Sequence, residues 1–264
     1  MEEFESNIKK LGVCLVIPTY NHASLLEGVI NDGLRYPIPI IIVNDGSTDT
    51  TRIVVQKYLS KVTFVDYKKN RGKGYALKQG AKKAIELGYK AIITIDSDGQ
   101  HFASDIEVLI NAALKAPNSI IVGSRGFEHE NMPKKNKFAN RFANFWFCFQ
   151  TFQKIPDTQS GFRYYPLFCF KKIVWFTHRY NFELEILVRN LWCGVAITSV
   201  PIRVYYAPEG ERVSHFKPSL DFFRIFVLNT FLSIFAIIYY YPKKLIRLLI
   251  IHKKKTTIHG NPQN

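Results

Sequence analysis

Five short apolar runs, each leading into a polar stretch, limit what this chain can fold into. They are VCLVI (13–17), IPIIIV (38–43), VTFVDY (62–67), AIITI (91–95) and SIIVGS (119–124). All are rich in Val and Ile, and most are apolar at consecutive positions. A strand with one face in water alternates apolar and polar residues, whereas a strand covered on both faces need not. Between the runs lie helical stripes. Leu25, Leu26, Val29, Ile30 and Leu34 form one. Ile53, Val54 and Tyr58 form a second, capped by Ser47, Thr48 or Asp49. The third runs from Ala76 through Leu87 and closes at Gly88. Strand and helix in alternation predict an α/β fold with a mostly parallel central sheet flanked by helices.

In such sheets ligands bind beyond the carboxyl ends of the strands. The polar motifs fall there: PTYNH after the first run, NDGSTD after the second, DSDGQH after the fourth and GSR after the fifth. In DSDGQH, Asp96 and Asp98 are separated by one serine, and Gln100 follows. In an extended loop these three can share a face. Their oxygens suit a hard cation, Mg2+ or Mn2+, that keeps substrate phosphate in its shell and neutralises a diphosphate leaving group. The plainer alternative is that the acids cap the helix expected near Ala103, but Ser104 or Asp105 suits that task better.

The second half changes character. Phe138, Phe142, Phe145, Phe149 and Phe152 make an aromatic helical stripe, which fits either core packing or a lipid-facing surface. DTQSGFRYYP reads as a loop, RYNFELEILVRNL as a helix and VAITSVPIRVYY as a late strand. From Ile225 to Tyr241 the chain carries no charge, although Asn229, Thr230 and Ser233 interrupt it. This length lies at the lower edge for a membrane span. With Tyr239 to Tyr241, Lys243, Lys244 and the basic LIRLLIIHKKK beyond, it suits a helix lying on or dipping into a membrane surface. The other placement is a helix pair packed on the sheet. Two units are expected: residues 1–218 as the catalytic domain and 219–264 as basic, aromatic, membrane-associating helices.

Charge supports an anionic partner. The formal net charge is +15, and from Glu209 onward nine Lys or Arg face three acids. No nucleic-acid motif accompanies that charge, so an anionic membrane surface is expected and nucleic acid is not. The four cysteines form no CxxC pair and predict free thiols in a reducing compartment. The first apolar run is too short for a signal-peptide core.

VIPTYNH, VNDGSTD, NRGKGYALKQG, DSDGQH and GSR, in this order and spacing, resemble the family-two inverting glycosyltransferases of GT-A fold. DSDGQHFASDI, VGSR, DTQSGFR and VPIRV resemble most the polyprenyl- or dolichol-phosphate sugar transferases and their bacterial relatives. The resemblance spans residues 11 to about 215. It implies that Pro18 and Tyr20 line a nucleotide base, with Asn21 and Ser97 also in contact with substrate. Asp45 would accept from the base's ring N–H, which both uracil and guanine offer, so UDP- and GDP-hexose donors stay open. Asp49 and Lys73 would lie near ribose and diphosphate. Asp96 would touch ribose or metal, and Asp98 and Gln100 would hold the metal, Asp98 being counted as catalytic. Arg125 would meet a phosphate. Asp157 is the family-like acid for a general base, and Glu183 is the second candidate.

One region departs from that pattern. In GERVSHF, His215 stands where a lysine is expected after the arginine, though Arg212 could still clamp the diphosphate. The expected activity is transfer of a hexose to a lipid-linked acceptor, a polyprenyl phosphate or a lipid hydroxyl, at the cytoplasmic face of a membrane. Two other activities compete. A phosphatase of the haloacid dehalogenase type would use Asp96 as nucleophile, but lacks its later paired acids here. A nucleotidyltransferase would need a glycine-rich loop where VIPTYNH stands.

Overall fold

The computed structural model describes residues 2–126, 134–171, 174–206 and 218–259. Helix α1 (Glu2–Leu11) leads into β1 (Val13–Thr19), α2 (Ala23–Gly33), β2 (Ile40–Asp45), α3 (Thr51–Gln56), β3 (Thr63–Tyr67), α4 (Lys73–Glu86) and β4 (Ala91–Thr94). A single 3-10 turn precedes α5 (Ile106–Lys115), and β5 (Ile120–Arg125) and α6 (Lys134–Thr151) follow. The seven-stranded sheet has the order β3-β2-β1-β4-β6-β5-β7, with β6 (Arg163–Pro166) and β7 (Ile197–Ile202) completing it. Every pairing is parallel except those of β6 with β4 and β5.

The continuous apolar runs have the expected cause. Val13, Leu15 and Ile17 of β1 join one core with α1, α2 and α5, while Cys14 and Val16 join another with α4, α6 and α8 (Phe182–Trp192). Burying each Val, Leu or Ile side chain contributes about 1.5–3 kcal/mol. Gly80 brings α4 close to the sheet, since a Cβ there would stand 2.5 Å from Val16 Cγ1. The four cysteines are free.

The structure corrects one element. DTQSGFRYYP is not wholly loop, because its end, Arg163–Pro166, is the antiparallel strand wedged between β4 and β5. A fully buried arginine hid it. Arg163 donates to the carbonyls of Ser160 (2.5 Å), Thr158 (2.9 Å) and Glu183 (2.8 Å) and to the Tyr165 hydroxyl (2.9 Å). Its guanidinium is therefore satisfied inside the core. The same bonds tie the loop before β6 to the start of α8.

Beyond β7 the chain forms α9 (Pro218–Phe235), a five-residue π-helical turn (Ala236–Tyr240) and α10 (Tyr241–His259). Among the described residues, Leu220–Ile250 is one helical stretch long and apolar enough to cross a membrane, by length and composition. It does not leave the body of the protein freely. Leu228, Leu232, Ala236 and Tyr240, four residues apart, belong to the same core as α8. Trp192 stacks on Phe235 and Tyr240 at 5.5 and 5.7 Å.

Two of the polar residues that interrupt the apolar run, Asn229 and Ser233, face inward, whereas Thr230 is exposed and donates to the Phe226 carbonyl at 3.1 Å. Buried Gln150 on α6 donates to Asn229 Oδ1 (3.0 Å), the Asn229 carbonyl (3.2 Å) and Ser233 Oγ (3.3 Å). Phe222, Phe223, Phe226, Phe231, Ile234, Ile237 and Ile238 are exposed instead. Leu232→Ala should therefore destabilise the whole chain by about 2–5 kcal/mol, as read by chemical denaturation in detergent. An unchanged midpoint would mean that α9 is not docked on the core.

Candidate active site

The carboxyl ends of β1, β2 and β4 open onto one pocket of about 520 Å³. Pro18, Tyr20, Asn21, Asp45, Lys73, Asp96, Ser97 and Asp98 line it. Two further walls come from outside the expected motifs: Arg179 and Tyr180, just before α8, and Asp221 and Arg224 on α9. Sequence reasoning missed the second pair, because it lies just ahead of the uncharged run that begins at Ile225 and falls in the stretch assigned to membrane-associating helices.

Lys73 Nζ stands at the centre. It lies 2.7 Å from Asp96 Oδ1, 3.0 Å from Asp96 Oδ2 and 3.0 Å from Glu183 Oε1. Burial alone would discharge the lysine, but the two carboxylates outweigh it and raise its pKa above the ordinary value. Burial also pushes Asp96 up, and Lys73 reverses this, holding its carboxyl below the usual range.

Asp98 behaves oppositely. Burial, and then the charge of Asp96, push it up to about 6. One of its oxygens accepts the Gln100 amide at 3.0 Å. Gln100 enters these contacts through its backbone, its carbonyl accepting from the Tyr205 amide at 2.8 Å. His101, beside it, is buried and packs on Phe162 at 5.4 Å, and burial lowers its pKa to about 4, leaving a neutral ring.

The other loops are held by side chains that the sequence suggested for substrate. Asn21, at φ 52°, accepts the Thr48 amide at 2.8 Å, and its own amide donates to Ser47 Oγ at 2.9 Å. Ser97 Oγ lies 2.9 Å from His22 Nδ1. Asp49 accepts the Ala23 amide at the start of α2 (3.1 Å) and the Thr51 amide at the start of α3 (3.0 Å), so it satisfies two helix starts. Asp45 accepts the amides of Arg71 (2.8 Å) and Gly72 (2.7 Å) and the Asn70 side chain (3.0 Å), which shapes the NRG turn.

Asp157 is fully buried, and both of its oxygens are engaged. Arg125 donates through Nε (2.7 Å) and Nη2 (3.0 Å), Asn140 through Nδ2 (2.9 Å), and Gln159 and Ser160 through their amides (3.0 and 3.1 Å). Burial pushes this carboxyl up, but Arg125 and the amides more than offset it and leave the pKa low. A low pKa and filled lone pairs suit a group that fixes Arg125 and the loop, not one that takes a proton. Arg212 and His215 lie outside the described residues.

The family model for glycosyl transferase family 2 matches residues 14–174. The chain belongs to that family. This transferase is 30% identical over 215 residues to the UDP-N-acetylglucosamine–dolichyl-phosphate N-acetylglucosaminyltransferase of Methanococcus voltae, covering 74% of this chain and 86% of that protein. It is 29% identical over 226 residues to the human dolichyl-phosphate beta-glucosyltransferase, covering 75% and 68%. Among solved structures it is similar to glucosyl-3-phosphoglycerate synthase from Mycobacterium tuberculosis in complex with Mn2+, UDP and glucosyl-3-phosphoglycerate. There the TM-score is 0.55, with 19% identity and coverage of 78% of this chain and 76% of that one. That likeness shows the GT-A fold. With the family shown, the phosphatase and nucleotidyltransferase readings of the transferase fall away.

Gly161 lets the central ion pair form. A Cβ there would stand 2.4 Å from Asp96 Oδ2 and 2.7 Å from Lys73 Nζ. Gly161→Ala should split the pair, weaken UDP or GDP binding by about tenfold or more and cost about 1–3 kcal/mol of stability. Gly28→Ala, with nothing within 4 Å of its added Cβ, should leave nucleotide binding unchanged. Calorimetric titration of both variants checks this.

Proposed function

We propose that this transferase moves one hexose, with inversion, from UDP- or GDP-hexose to a lipid-linked acceptor at the cytoplasmic face of a membrane. One observation carries this. A pocket floored by the Lys73–Asp96–Asp98 charges has, as another wall, the first turn of a helix whose exposed residues are mostly apolar. Donor chemistry and a lipid-facing surface meet in one place. The names of the dolichyl-phosphate relatives agree with it.

The residues present fit a divalent cation. Asp96, Asp98 and Glu183 against Lys73 leave two negative charges once Asp98 ionises. Among the described residues no three His, Cys, Asp or Glu stand close enough to hold a metal by themselves. That suits an ion which takes part of its shell from substrate phosphate. Asp96 and Asp98, with Gln100, would hold Mg2+ or Mn2+, which when bound neutralises charge on the departing diphosphate.

The chain's own groups do the rest. Pro18 and Tyr20 bracket the base, and Asp45 keeps the NRG turn shaped beside it. Lys73 stays protonated and lends its charge to the diphosphate. Arg125, gripped by Asp157, presents its guanidinium to a phosphate. A phosphate acceptor is already ionised and needs no general base. For a hydroxyl acceptor, Glu183 is better placed than Asp157, because Asp157 is saturated. The exposed aromatic and aliphatic residues of α9 and α10, with Lys243, Lys244 and Arg247 behind them, would dock on anionic lipid.

Metal-dependent thermal stabilisation by a panel of nucleotide sugars tests the donor half. Asp98 holds its proton in the folded chain up to about pH 6, against about 3.9 for a free side chain. Its contribution to stability is present below the lower value and is lost as pH rises through the higher, until a cation takes the proton's place. The Mn2+-dependent shift should be full at pH 7.5 and shrink toward pH 5, and Asp98→Asn should abolish it while the fold survives. A shift as large in the variant as in the parent would refute the metal assignment.

A further inference from the structure

Arg224 is a cation in the pocket that no donor-side motif explains. It lies in the second turn of α9, and its Nη1 donates to Asp221 Oδ1 at 2.8 Å. Asp221 is 4% exposed, so the carboxylate is an inner anchor and the guanidinium is turned by it. Among the described contacts Arg224 bonds through Nη1 alone. Its Nε–H and remaining Nη2–H donors keep the fork geometry that suits two phosphate oxygens.

The turn lines the same pocket as Lys73, Asp96 and Asp98. Tyr180 is pushed up to about 12 by burial, and it feels the charges of Lys73, Asp96, Glu183 and Asp221 together. One phenol therefore borders both the central ion cluster and the α9 turn.

The surroundings of Arg224 differ from those of Lys73. Phe222, two residues away, stacks on Phe142 of α6 at 6.2 Å. Phe223 and Phe226 on α9 and Phe138 and Phe145 on α6 are exposed. A phosphate-binding fork at the pocket edge, with an apolar aromatic surface next to it, matches a molecule with an anionic phosphate head and a hydrocarbon tail.

We propose that Arg224, held by Asp221, binds the phosphate head of the lipid acceptor, and that the acceptor's chain lies along the exposed rings of α6 and α9. This rests on the proposed transfer to lipid and deepens it by naming the residue that receives the acceptor's phosphate. Arg224 then supplies a cation for the acceptor from a helix outside the donor-binding loops.

The test uses the full chain with vesicles containing either a polyprenyl phosphate or the matching polyprenol, a UDP- or GDP-hexose and Mn2+. Wild type should transfer sugar to the phosphate in preference to the alcohol. Arg224→Gln should raise KM for the lipid phosphate by about tenfold or more, leave KM for the nucleotide sugar within about twofold and narrow the preference over the alcohol. Arg224→Lys should recover part of the loss, and both variants should keep the Mn2+–nucleotide thermal shift, which shows that the pocket is folded. A rise in donor KM instead would assign the arginine to the donor diphosphate and overturn the proposal. So would unchanged KM values, or equal use of phosphate and alcohol by wild type. If wild type transfers to neither lipid, the underlying transfer itself is wrong.

Discussion

Lys73 lies between the buried carboxylate of Glu183 and the half-buried one of Asp96, and much of the pocket is arranged around it. Removing the lysine would leave Asp96 and Glu183 as like charges in a poorly solvated place, a change that typically costs about 3–5 kcal/mol. The constraint propagates. Gly161 has no side chain because Asp96 and Lys73 fill the space. Arg163 draws the 158–160 loop and the start of α8 together, which sets Glu183 at 3.0 Å from the lysine. Asp98 forms no ion pair among the described residues, and burial, followed by the charge of Asp96, pushes its pKa up to about 6.

The C-terminal helices add a second constraint of opposite kind. In a soluble helix apolar residues face the core and polar ones face water. On α9, Asp221, Asn229 and Ser233 are buried while all five phenylalanines are exposed. Such a helix fits an environment less polar than water on its outer side. Its inner side is pinned by Gln150 and by the Leu228–Leu232–Ala236 row, so it is fixed relative to the pocket. A bilayer receiving the outer face, as proposed above, would thereby set the height of the pocket above the lipid.

Much of the sheet was legible because Val and Ile runs covered on both faces leave a pattern that few other structures share. Strand β6 was not, since its buried arginine and two tyrosines look like loop chemistry until their partners are known. The pocket was legible where loops follow strands directly: Pro18, Tyr20, Asp45, Lys73, Asp96, Ser97 and Asp98 all line it. Residues with the same appearance hold loops together instead. Asp49 is spent on two helix starts and Asp157 on Arg125 and two amides, and a sequence does not distinguish a carboxylate aimed at solvent from one aimed at its neighbours. The Lys73–Glu183 pair joins segments far apart in the chain, and the Asp221–Arg224 turn reaches the pocket from a distant helix, so only the fold brings them together.

Sugar leaving the nucleotide at this charge cluster should end on lipid. The most direct measurement follows a radiolabelled hexose from UDP and from GDP, in the presence of Mn2+ and anionic vesicles carrying an acceptor lipid. Label should move into the organic phase as a glycolipid whose anomeric configuration is inverted relative to the donor. Label that stays on the nucleotide, appears only as free sugar, or reaches lipid with retained configuration would contradict the mechanism.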